Sequence, residues 1–193
     1  VTSWVITGVC LIGAGVLCCT AAIGAGALNQ QRYREKLHLT DQTDAPSENF
    51  TAIQVALEDA DLTVQAGDSV SVEAENVSAD CYDVTVRDGV LRIEQRSSSL
   101  NQYTLIHLGE FSLPTAKITL TLPEENYKSM DISASYGDCT VDGISAQTFS
   151  ANLDCGDGTF QNISTENYTA KSSYGDLQLS DSEVKDSLSV EAD

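Results

Sequence analysis

MDISASYGDCTVDGISAQT (130–148), FSANLDCGDGTFQNISTEN (149–167) and YTAKSSYGDLQLSDSEVKD (168–186) are one pattern written three times without a gap. The period is 19, and each copy centres on a Gly-Asp pair: Gly137-Asp138, Gly156-Asp157 and Gly175-Asp176. A fourth copy begins at Ser187 and breaks off at Asp193. A period near 20 residues belongs to stacked supersecondary units, each too small to bury its own apolar side. Before the Gly-Asp pair, apolar columns recur at every second residue: Met130/Phe149/Tyr168, Ile132/Ala151/Ala170, Ala134/Leu153/Ser172 and Tyr136/Cys155/Tyr174. That is strand periodicity, and it places all four columns in the core. After the pair the register shifts to Cys139/Gly158/Leu177 and Val141/Phe160/Leu179. Gly supplies the bend, Asp can bond its own backbone there, and a second turn falls at Gly143, Asn162 and Asp181.

Each copy therefore reads as strand, Gly-Asp corner, short strand, turn. Stacked about 4.8 Å apart, the copies make an all-β domain, a β-solenoid resembling a single-stranded β-helix. An antiparallel sandwich or meander of short strands is the rival.

Working outward, residues 50–95 continue the strand signal. Phe50, Ile53, Val55 and Leu57 lead through Leu62 and Val64 to a turn at Gly67-Asp68, and Val84 and Val86 lead to Asp88-Gly89. Asp-Gly between alternating apolar runs marks a hairpin. Residues 96–113 interrupt the pattern as an excursion, and Ile118, Leu120 and Leu122 resume it. No helix is needed after Lys36.

Ahead of this, 1–3 is a short stub and 4–28 is a run of 25 residues without charge, long enough to span about 30 Å of hydrocarbon as one helix. Ala25-Gly26-Ala27 would suit signal cleavage, but the run exceeds the roughly 7–15 residues of a signal core. Cys10, Cys18 and Cys19 lack the flanks of a lipoprotein box and read as small apolar membrane residues. An uncleaved single-pass anchor is the reading. Residues 29–49 form a juxtamembrane tether, and 50–193 the repeat domain. The chain starts at Val1 and stops inside a repeat, so both ends read as boundaries within a longer chain. Arg32, Arg34 and Lys36 would hold their flank in the cytoplasm, whereas a long acidic domain translocates largely regardless of charge. The domain is expected outside the cell.

The motifs Phe50-x-x-Ile53-x-Val55, DLTVQAGD (61–68), VRDGVLRIEQ (86–95), ITLTLP (118–123) and the serial Tyr/Cys-Gly-Asp repeats resemble a bacterial adhesin-like family. Its members are membrane-anchored β-strand-repeat domains of unknown function, LiaG-like cell-envelope proteins among them. The resemblance covers residues 50–193. It implies an all-β domain outside the membrane, with no catalytic or binding residues to carry over.

Chemistry-bearing clusters are few. His38 and His107 have no Cys, Asp or Ser arrangement around them, and no phosphate loop, dinucleotide fingerprint or zinc spacing occurs. Stacking brings Asp138, Asp157 and Asp176 about 5 Å apart at one corner, where calcium could neutralise them. The competing view is that each Asp simply caps a turn; no other cofactor is implied. Cys81, Cys139 and Cys155 are read as free thiols. Asn49, Asn76, Asn162 and Asn167 head Asn-x-Ser/Thr triplets, read as chance in a bacterial chain. A net charge of −19, with seven Lys or Arg against 28 Asp or Glu after Thr40, argues against nucleic acid and anionic lipid.

The expectation is a non-enzymatic envelope scaffold, adhesion or sensing module with a membrane anchor and an envelope protein or surface ligand as partner. A membrane-tethered enzyme acting on glycans and a cytoplasmic-facing envelope-stress regulator are the alternatives.

Overall fold

A computed structural model describes residues 38–96 and 115–192, with Val16, Thr20, Arg34 and Glu35. The expected membrane helix at 4–28, apart from Val16 and Thr20, most of the 96–113 excursion and His107 lie outside the described residues. Among the described residues no helix is long and apolar enough to cross a membrane.

The elements are β1 (Leu39–Asp44), β2 (Ala52–Gly67), β3 (Ser71–Ser78), a 3-10 turn (Ala79–Cys81), β4 (Tyr82–Arg87), β5 (Val90–Gln95) and β6 (Ala116–Pro123). The repeats follow as β7 (Asn126–Tyr136), β8 (Cys139–Asp142), β9 (Ser145–Cys155), β10 (Gly158–Gln161), β11 (Ser164–Tyr174), β12 (Leu177–Ser180) and β13 (Glu183–Ala192). Each repeat is thus an 11-residue strand, a Gly-Asp corner, a four-residue strand and a turn.

Coils stack in parallel. β7, β9, β11 and β13 pair in that order on one face, and β8, β10 and β12 on the other. Met130 lies opposite Phe149 and Phe149 opposite Tyr168, so the structural register equals the sequence period. β2 is a complete coil in one 16-residue strand. Its first half pairs with β7 and its second with β8. The preceding coil is split: β5 supplies one face below β2 and β6 the other. The chain therefore inserts β2 between elements that come later in sequence.

Below that level the solenoid gives way to antiparallel pairing. β3 runs against β6, β1 against β3, and β4 against β5. The antiparallel pairing of the rival reading occurs here, at one end, but β1, β3 and β6 are not consecutive strands and form no meander. Asp88 (φ 54°) and Gly89 (φ 75°) both turn left-handed between β4 and β5, as a two-residue hairpin requires.

Two expectations need correction. Residues 39–44, read as part of a tether, form β1, because Leu39–Asp44 completes the β3 edge and Arg34 ties it down. Arg34 donates 2.6 Å to Asn76 Oδ1 and 2.7 Å to Asp41 Oδ2. The fourth copy begins one residue late. Leu188, not Ser187, faces Tyr168, because an extra residue in β13 shifts the register after Val184.

The core is one continuous cluster running the length of the stack. It contains an aromatic cluster: Phe149 and Tyr168 stack at 5.1 Å, with Phe160 edge-on to both at 5.5 and 6.1 Å. Gly158 makes room, since a methyl group there would meet Phe160, Leu153 and Leu177 at 3.0 Å or less. Such pairs add about 0.5–1.5 kcal/mol each beyond their burial.

Candidate functional site

The Gly-Asp corners are the most regular feature outside the core, and each residue type has a separate cause. Gly137, Gly156 and Gly175 adopt φ of 123°, 136° and 147°. A methyl group on them would lie 2.3 Å from Ala60 O, 2.1 Å from Gly137 O and 2.1 Å from Gly156 O. Each glycine sits directly on the carbonyl of the coil beneath, which no side chain permits. The Asp carboxylates do something different from the expected bond to their own backbone. Asp138 Oδ1 accepts the Asp157 N–H at 3.0 Å, and Asp157 Oδ1 accepts the Asp176 N–H at 2.9 Å. Asp138 and Asp157 each cap the next coil, and Asp176 is the last N–H held in this way.

The series starts one coil earlier than the repeat does. Asp61 Oδ1 accepts the Asp138 N–H at 3.1 Å, across 77 residues of sequence. Ala60-Asp61 is the corner of β2, with Ala where the repeats have Gly. Only the DLT motif could have hinted at this. At the opposite corner Gly143, Asn162 and Asp181 are all left-handed, with φ of 74°, 54° and 49°. Asn162 Nδ2 donates 2.7 Å to Asp142 Oδ1.

The Tyr136/Cys155/Tyr174 column is the third correction. It was placed in the core, yet Tyr136 is 63% and Tyr174 75% exposed. The Gly-Asp bend begins beside it, so the period-2 rule fails one residue before the corner. Conversely, Tyr127, Ala146 and Thr165 form a buried column that sequence reading missed. They lie three residues before Met130, Phe149 and Tyr168, an odd offset that strict alternation hides.

The titratable groups with displaced pKa values serve structure. Burial pushes the Cys139 thiol up to about 12 and the Tyr127 phenol, with Glu125 adding to it, to about 12. Burial likewise raises Tyr82, near Asp44, and Tyr168. Cys81, Cys139 and Cys155 are free thiols. His38 is exposed at a turn with φ 53°. Among the described residues no three His, Cys, Asp or Glu side chains converge to hold a metal ion.

A family comparison then decides the kinship: the Toastrack DUF4097 description matches residues 50–192. This chain belongs to the Toastrack DUF4097 family. The Toastrack domain is all-β, and its match begins at Phe50, where the motif reading began. No curated protein matches. Among solved structures, a Clostridium sporogenes protein named for cell adhesion is 10% identical, with 80% of this chain and 100% of that one covered and a TM-score of 0.46. A Bacteroides fragilis protein named for adhesion is also 10% identical, covering 80% and 96%, with a TM-score of 0.42. A Parabacteroides distasonis protein named for lipid binding is 11% identical, covering 80% and 97%, with a TM-score of 0.28.

Proposed function

We propose that this Toastrack domain is a non-enzymatic scaffold or adhesion module of the cell envelope, anchored by residues 4–28 with the domain outside. The observation that carries the reading is the use of the corner groups. Glycine N–H groups, Asp backbone carbonyls and Asp carboxylates at the corner hold coil to coil. What remains outward is straight columns of polar and charged side chains, such as Asp131/Ser150/Thr169 and Ser133/Asn152/Lys171. A stiff stack with side chains repeated at about 4.8 Å suits display to an extended polymer or a partner surface. Adhesion is also what the names of two solved relatives suggest.

The test is retention of full-length protein on beads presenting cell-wall polymers and surface glycans, with turnover of the same panel measured alongside. Retention without turnover fits the proposal; turnover would replace it with the glycan-enzyme reading. Address is tested separately by Ser47→Cys, an exposed position, in intact cells with native cysteines replaced. Labelling by an impermeant maleimide fits an outside domain, and protection until lysis favours the cytoplasmic regulator. Asp138 and Asp157 act as caps in this reading, with Oδ1 already committed, and Asp176 is held through its N–H. Unfolding followed with and without millimolar calcium is expected to give one Tm; a rise would make the corner a calcium site.

A further inference from the structure

At the antiparallel end the two edge strands are built differently. β1 closes one face with Asp41 and Asp44 and a register shift between Thr40 and Gln42. Charge and a bulge are both devices that stop an edge from pairing. β4 closes the other face and has no bulge. Six successive pairs, Tyr82–Gln95 to Arg87–Val90, run to β5 without a shift. No strand among the described residues pairs with the other side of β4. Residues 44–48 of the same chain face β4 across a cavity of about 440 Å³ whose other wall is Val84, Thr85, Val86 and Arg87. The Tyr82 hydroxyl donates 3.4 Å to Asp44 Oδ2, so a strand pairing there displaces that segment.

The β4 sequence, YDVTVR, complements itself. Two copies running antiparallel about Thr85 place Asp83 opposite Arg87 of the second copy, twice, and Val84 opposite Val86. Opposed residues share a face in antiparallel pairing, and the faces agree. Asp83 and Arg87 are exposed, while Val84 and Val86 pack against the core. A one-residue slip would set the apolar face of one copy beside the solvent face of the other. Centring on Val84 or Val86 leaves Asp83 or Arg87 opposite Thr85. Only the Thr85 register pairs both charges.

We propose that β4 is a homodimerisation edge, on which two copies of this chain pair antiparallel about Thr85 to join two faces into one sheet. The interface is isologous, so each substitution acts twice.

Analytical ultracentrifugation of the full chain in detergent tests it. The chain is expected to show a concentration-dependent dimer. Asp83→Arg and Arg87→Asp should each weaken it by roughly tenfold or more, because two like-charge pairs replace two opposite ones. An equimolar mixture of the two variants, and the double variant, should regain the wild-type affinity, with unchanged circular dichroism in every sample. A chain that stays monomeric through the micromolar range overturns the proposal. So does dimerisation that ignores both reversals, which would assign association to another surface such as residues 4–28. Capture of an added extended peptide by a monomeric chain would make β4 a peptide edge instead.

Discussion

At the residue scale, Gly and Asp are adjacent in every repeat for unrelated reasons: one residue must have no side chain, and the next must have a short acceptor. Gly156→Ala is therefore expected to cost roughly 2–4 kcal/mol, combining a left-handed strain with a clash against the Gly137 carbonyl. Gly89→Ala is the control, since φ is also positive but nothing lies within 4 Å. It should cost about 1 kcal/mol. Urea unfolding of both variants reads the difference, and equal losses would remove the stacking argument. The buried Cys139 makes a second residue-scale case. Its raised pKa favours the neutral thiol in the fold, so its stabilising contribution is complete below the unfolded value, about 8.5, and is lost as pH climbs toward 12. Tyr127 acts the same way, from about 10 upward. Stability should decline above pH 9 in denaturant titrations, and a thiol reagent at pH 8 should modify Cys139 only at the rate of unfolding.

Elements show how the fold repairs its irregularities. β5 beneath β2 ends at Gln95, directly below Leu57, so the corner of β2 that follows is reached by a side chain. The Gln95 side chain holds that corner, with Oε1 accepting the N–H groups of Glu58 and Asp59 at 3.2 Å each. Gln95→Ala should cost about 2–3 kcal/mol, because two donors in a half-buried corner lose their acceptor. Gln95→Glu keeps the acceptor and should lose less, with thermal unfolding as the readout. β1 is held by Asp41, whose pKa is lowered first by the Asn76 N–H and then by Arg34. A lowered carboxylate pKa stabilises above the unfolded value and fails as pH falls through the folded one. Amide exchange in β1 should accordingly rise below about pH 4 ahead of exchange in β9.

For the whole molecule, stability passes from coil to coil through one core, so damage at its centre spreads both ways. Phe149→Ala removes a ring touching both Phe160 and Tyr168 and should cost about 3–5 kcal/mol. Hydrogen exchange after this change should rise in β7 and β11 together; a loss confined to β9 would contradict a shared core.

The sequence by itself determined the repeat: its period, its two corners, the left-handed turns and five of the inward columns. Those depend on contacts between a residue and its equivalents 19 positions away, which repetition makes visible. The candidate corner was legible as a series of Gly-Asp pairs, but its first rung at Asp61 was not, because that rung lies outside the repeat. Only the tertiary structure decided that Tyr136 and Tyr174 face solvent, that β2 is threaded between later strands, and that β1 and β4 finish the stack as unlike edges. The tyrosines turn outward at the bend, where alternation breaks; the threading of β2 and the unlike edges depend on which distant strand lies alongside, and local alternation carries no record of that neighbour.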